Sequence, residues 1–254
     1  MIRRAAKAAL YIFLEVNKFD TLLWYTTENI KVVTNLSRTK YNPISDEIKL
    51  REEINQLDKF ANSYLLKIED LYIEDLYFMS VIDKSIKLID TFLYAMEKRN
   101  ITVLATLTRV QIDCVCRTYA STMVVDSSDF CKEVLLKDTP INKLVDKDGK
   151  KLTDKHLCEA VGEFLQLPVY DLYQKVCGFV HFSSSSFHNI VRAHEKFDIT
   201  MLIGRQNMPG DEETYKRLTM ELANQFLFFG VVLIHDLLGG WLDQKEREKI
   251  ERDK

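Results

Sequence analysis

The stretch Ile101-Thr-Val-Leu-Ala-Thr-Leu-Thr-Arg109-Val-Gln-Ile-Asp113-Cys-Val-Cys-Arg117-Thr-Tyr-Ala-Ser-Thr-Met123 reads as one helix that is apolar on nearly every side. Such a helix belongs in the middle of other helices, because only surrounding elements can cover all of its faces. At 100° per residue, Leu104, Leu107, Val110, Cys114, Val115 and Tyr119 take most of the circumference, while Arg109, Asp113 and Arg117 fall within one narrow sector. A buried face that keeps three charges must pair them or aim them into a cleft.

Punctuation along the chain agrees with a helical fold. Only 8 Gly and 4 Pro interrupt it, and the long intervals between them carry Leu, Lys, Glu, Ile and Tyr at helical spacing. The first half divides into long helices over about residues 2 to 36, 44 to 68, 70 to 98 and 101 to 124. Breaks fall at Asn42-Pro43 and Asn100, and Ser45 suits a helix start. A helix of about 25 residues is about 40 Å long, so these elements pack side by side as a bundle. A shorter apolar piece follows over Phe130 to Leu136. Further helices are expected over Thr153 to Leu165, Pro168 to His181, Ser186 to Phe197 and Asp211 to Leu238, with Pro168 in a first turn. Between Ile141 and Thr153, Asp146-Lys-Asp-Gly149 lies between short apolar alternations and reads as a hairpin-like insertion, either a cover for a site or a plain surface connection. The tail Gln244 to Lys254 is charged and expected to be a solvated, fraying end. The expected architecture is therefore an all-α multi-helix bundle in a single domain. Residues 1–100 supply long N-terminal helices, 101–240 the helical core and 244–254 the charged tail.

Composition narrows the function classes. With 254 residues the chain can bury a sizeable core, and 46% hydrophobic with 29% charged residues is ordinary for a globular protein rather than a disordered one or a membrane bundle. The balance of 35 Lys+Arg against 38 Asp+Glu leaves a net charge of -3, so no global basic field draws the chain to nucleic acid, and any polyanion site is local. The five cysteines form no C-x-x-C pair and lie mostly in apolar helical contexts, which fits free thiols in a reducing, cytoplasmic setting. The start MIRRAAKAALYIFLEV is basic and then apolar. It is interrupted by Glu15 and Lys18 and continues as an amphipathic pattern through Trp24 and Tyr25, so it reads as a structural first helix; a peripheral membrane anchor is the other reading. Phe226 to Ile234 is too short to span a bilayer and reads as the core face of a late helix, so no integral membrane segment is expected.

Two constellations carry chemistry. The first is the charge ladder, in which Asp113 between Arg109 and Arg117 fixes two guanidinium forks and leaves donors for a phosphate or a carboxylate of another helix. The bland reading is an internal salt-bridge ladder. The second is Tyr170-Asp-Leu-Tyr173-Gln-Lys175-Val-Cys-Gly-Phe-Val-His181, followed by Phe182, Ser183, Ser184 and, further on, His188. His181 at a helix C-terminus and serines at the next N-terminus make an anion pocket, with the imidazole as general acid or base. The bland reading is a capping histidine beside a serine-rich connection. His181, His188 and His194 share no enforced ligand face, no Glu-x-x-His occurs, and no metal or other cofactor is expected. Phosphate-loop and nucleophile-elbow motifs are absent.

The pairing of Arg109-x-x-x-Asp113 with the later Tyr173-x-x-x-Cys-Gly-Phe-Val-His181-Phe-Ser, separated by a Lys-Asp-Gly-Lys turn, resembles bacterial helical proteins of the HEPN superfamily over roughly residues 100 to 195. That resemblance implies an all-helical, commonly dimeric protein. Many such proteins are metal-independent ribonucleases of toxin, abortive-infection and phage-defence systems. Their signature, an Arg followed after four to six residues by His, places the histidine on His181. Lys175 stands at the arginine's distance, so the strict signature is absent. On this reading His181 moves the proton of a ribose 2′-hydroxyl and Arg109 and Arg117 stabilise phosphate charge. Asp113 orients an arginine, while Tyr173, Lys175, Ser183, Ser184 and His188 position RNA or a nucleotide. The alternative is a non-catalytic helical module that binds a protein partner or a second copy of itself.

Overall fold

The computed structural model describes residues 42–181, 191–193, 199–201 and 212–252. The expected helix over residues 2 to 36 lies outside them, as do Ser183, Ser184, His188 and His194.

The described chain is an all-α, multi-helix fold. Helices α1 (Glu47–Asn55) and α2 (Leu57–Leu65) replace the single helix expected over 44 to 68, and α3 (Ile73–Ile86) and α4 (Ile89–Glu97) replace that over 70 to 98. Both breaks fall where the pattern gives no warning. Gln56 and Lys87–Leu88 keep near-helical backbone angles, so each joint is a slight turn between helices of continuous apolar patterning. Asp46, rather than Ser45, starts α1, its carboxylate accepting from the Lys49 N–H at 2.8 Å. Helix α5 (Ile101–Met123) begins at Asn100, whose side chain accepts from the Val103 N–H. Helix α6 (Ser127–Leu136) begins at Asp126, and α7 (Asp154–Leu165) at Thr153. Helix α8 (Val169–Val180) is preceded by Pro168 as its N-cap and closed by His181.

Helix α5 is the axis of the bundle, packing against α3, α4, α7, α8 and the late helix α9 (Glu212–Val231). Its Leu104, Ala105, Ile112, Val115 and Ala120 are fully enclosed, and small residues let neighbouring backbones come close. Phe92 stacks on Phe226 with ring centroids 4.0 Å apart, tying α4 to α9. Helix α9 runs without a stop through a π-helical segment, Val232–Leu238, into α10 (Gly239–Arg252). The stretch Glu212–Glu251 is long and apolar enough to cross a membrane by length and composition, yet 72% of its apolar window is buried inside the bundle.

The hairpin-like insertion forms as expected, an isolated antiparallel bridge, Val145 to Lys151, around a turn in which Gly149 has φ 79°, preceded by a 3-10 turn (Ile141–Lys143). Two expectations are corrected. The helix expected over Ser186 to Phe197 is not formed at Val191–Ala193, which is strand β1, paired antiparallel with β2 (Ile199–Met201) so that Arg192 faces Thr200. β-Branched Val191, Ile199 and Thr200 suit that extended pair. The charged tail is helical through Arg252 and is tied down. Lys245 reaches the Asp75 carboxylate at 2.7 Å and Lys249 reaches Glu69 at 3.0 Å. The segment is solvated as expected, with Gln244 and Glu246 to Glu251 exposed, but these two lysines keep it from fraying.

Candidate functional site

The charge ladder sits on the seam where α5 meets α8 and the first turn of α7. Four-residue spacing on α5 aligns Arg109, Asp113 and Arg117, and the same spacing on α8 aligns Tyr173 and Cys177 against them. Each guanidinium nitrogen of Arg109 is engaged. Nη1 donates to Asp113 Oδ2 at 3.0 Å, Nη2 to the Tyr173 hydroxyl at 2.7 Å and Nε to Cys177 Sγ at 3.1 Å. Tyr173 in turn donates to Asp154 Oδ2 at 3.1 Å, and Arg117 Nη2 approaches Asp154 Oδ1 at 3.5 Å. The result is a continuous chain of polar contacts from Cys177 through Arg109, Tyr173 and Asp154 to Arg117, joining three helices.

The electrostatics follow from depth. Burial lifts the Asp113 carboxyl above the ordinary carboxylate range, outweighing the attraction of Arg109 and Arg117. Burial also works against the charge on Arg109, but the Cys177 contact, Asp113 and Tyr173 outweigh it and raise its pKa. The Tyr173 hydroxyl is raised by burial and by the neighbouring Asp113 and Asp154. The two partners of the Arg109–Asp113 pair differ: the arginine is held charged more firmly than in water, the aspartate less so. Asp113 is the more enclosed side chain, 11% exposed against 23%. Its lost hydration is the larger cost.

The sequence-predicted residues therefore separate. Arg109, Asp113 and Tyr173 come together as expected. Arg117 does not share Asp113 by hydrogen bond; it turns to Asp154, and its side chain is half-exposed. With Cys177 at Arg109 and Tyr173, one turn earlier on α8, reaching the Asp154 that Arg117 approaches, α8 runs antiparallel to α5. His181 thus lies one turn beyond Cys177, at the end of the seam away from Arg117. Arg109 and Arg117 are themselves about 12 Å apart along their helix. His181 is exposed, closes α8 through its backbone N–H to the Cys177 carbonyl at 3.0 Å, and makes no side-chain hydrogen bond within the described residues. Among the described residues no hydrogen bond or ion pair joins His181 to Arg109 or Arg117. Lys175 points away from the seam, towards Asp171 and the buried Glu221 of α9, and burial lowers its pKa.

Sequence reasoning missed Asp154 and Cys177 as partners. Cys177 had a signal, since it stands four residues after Tyr173 just as Asp113 stands four after Arg109. Asp154 had none, because a first-turn acid is ordinary helix chemistry. A second pair also went unread. His156 Nε2 lies 2.7 Å from Asp146 Oδ2, and Asp146 Oδ1 accepts from the Asp148 and Lys150 N–H groups, fastening the inserted turn to α7. The hydrogen bond to His156, with the backbone donors, holds the Asp146 carboxyl below its usual value.

Among the described residues no group of three or more His, Cys, Asp and Glu side chains is placed to hold a metal ion. Comparison with protein-family models, with curated proteins and with solved structures finds no match.

Proposed function

We propose that this chain is a non-catalytic helical interaction module, HEPN-like in the resemblance it carries, in which the charged stripe fastens helices instead of receiving a substrate. The observation that carries this reading is the engagement of Arg109: Asp113, Tyr173 and Cys177 each take one of its nitrogens, so the guanidinium is already used in joining α5 to α8. Binding is supported by the exposed apolar side chains Leu76 and Met79 on α3 and Leu136 on α6, two helices that pack together. A second copy of the chain is the partner the resemblance favours, in a reducing cytoplasm.

Exposed His181 at the end of α8, one turn beyond the Arg109–Cys177 contact, favours a second reading. In it the chain is a metal-independent ribonuclease, or an RNA- or nucleotide-directed effector of a bacterial defence or toxin system. Incubating purified protein and a His181→Ala variant with mixed RNA in chelator separates the two. Intact RNA with both proteins is the expected result. Fragments from the wild type that vanish in the variant establish the ribonuclease and overturn the module.

A further inference from the structure

A cavity of about 460 Å³ lies on another side of α5 from Arg109 and Asp113, walled by Phe78, Tyr119, Phe164 and Trp241 and floored by Glu74. Its walls are stiff. Trp241 stacks on Phe78 with centroids 6.1 Å apart and planes 12° from parallel, and the Trp241 N–H is held by Asp75 Oδ1 at 2.7 Å. Tyr119 and Phe164 lean together at 5.3 Å on the opposite wall. Exposed Thr122 and Val125 stand at the mouth.

Glu74 is the anomaly. It is only 8% exposed, its Oε1 accepts from Ser127 Oγ at 3.2 Å, and its second oxygen has no hydrogen-bond partner among the described residues. Among the described residues no Lys, Arg or His lines the cavity. The nearby Lys132 donates to Asp129 at 3.0 Å, and Lys245 is committed to Asp75. The second oxygen is not sealed from the cavity, so a donor or cation entering it can meet this carboxylate, for which the protein supplies one hydroxyl and the first turn of α3. A second acidic residue, Asp236, also lines the cavity, its Oδ1 3.0 Å from His235 Nδ1. It belongs to the π-helical segment Val232–Leu238, a distortion that recurs at functional sites and here sets the turn contributing Asp236 and Leu237 to the cavity.

We infer that this cavity binds an alkylammonium group, with the ammonium on Glu74 and its aliphatic stem between the aromatic walls. Aromatic faces attract a desolvated cation and tolerate the methylenes behind it, whereas a bare metal ion finds too few oxygens. The same chemistry is offered by a free diamine and by the lysine side chain of a peptide.

Calorimetric titration with cadaverine and with lysine capped at both ends, beside the neutral diol of cadaverine's length, tests the inference. Glu74→Gln keeps the acceptor for Ser127 and removes the charge. Gly240→Leu fills the space, because a Cβ at Gly240 meets nothing within 4 Å. Thermal melting confirms that each variant folds. Saturable binding that weakens about tenfold or more in Glu74→Gln, and that is blocked in Gly240→Leu, bears the site out. Binding of cadaverine assigns a free amine, and binding of capped lysine alone assigns a peptide. Failure of both amines to bind, equal binding of the diol, or unchanged affinity in Glu74→Gln overturns it.

Discussion

Arg109 Nε donates to Cys177 Sγ at 3.1 Å across the seam between α5 and α8, and the same guanidinium reaches Tyr173 one turn earlier on α8. One side chain therefore reads two successive turns of a neighbouring helix. Only a planar fork with three separately aimed nitrogens does this. Arg109→Lys keeps the charge and the reach to Asp113 but loses the other two contacts. It is expected to cost about 1–2 kcal/mol in chemical denaturation. Stability equal to wild type sinks the fastening role.

Acid acts on the inserted turn. The folded Asp146 carboxyl lies below its usual value, so its contribution is complete above the unfolded aspartate pKa of about 4 and is lost as pH falls through the lower, folded value. Hydrogen exchange at the Asp148 and Lys150 amides, which Asp146 accepts, is expected to quicken below about pH 4 beyond its intrinsic trend. In Asp146→Asn this acid-dependent step is absent.

The thiols form a graded series. Cys116 is raised well above its usual value by its contact with Cys158, 3.6 Å away, and by burial. Burial pushes Cys114 up to about 11 and Cys131 up to about 12. Cys177 is the one cysteine that is not buried. Iodoacetamide at neutral pH is expected to modify Cys177 first, the others following only on unfolding. Early labelling of Cys116 or Cys158 in peptide mass spectrometry contradicts the packing.

Lys245 holds an enclosed acid. Asp75 is 0% exposed and accepts from the Tyr72 N–H, Trp241 Nε1 and Lys245 Nζ, each at 2.7 Å. Lys245→Met retains the stem and removes the counter-charge, leaving a buried carboxylate on two neutral donors. A loss of about 3 kcal/mol is expected, read as a lower denaturation midpoint. A change within about 0.5 kcal/mol shows that water replaces the ammonium.

The fold class was legible because α5 is apolar on most sides, and such a helix has one use. Asn100, Thr153 and Pro168 marked their helix starts correctly. The joints at Gln56 and Leu88 were not legible, since neither Gly nor Pro marks them and tertiary packing decides where a continuous apolar pattern bends. In the candidate site, helical spacing identified the face that carries Arg109 and Asp113. It did not show that the face closes on α8 instead of opening on a cleft, because that depends on which helix lies opposite. Asp154, Glu74 and the His156–Asp146 pair depend on contacts between separate elements, which periodicity within one element does not encode.

The bond between Asp75 and Lys245 spans 170 residues of chain. During synthesis the helix bearing Asp75 leaves the ribosome long before its ammonium partner and Trp241 are made. Over that interval the carboxylate favours water, and α3 has reason to stay loose. The later-made stretch thus acts as the latch that fixes α3 in place.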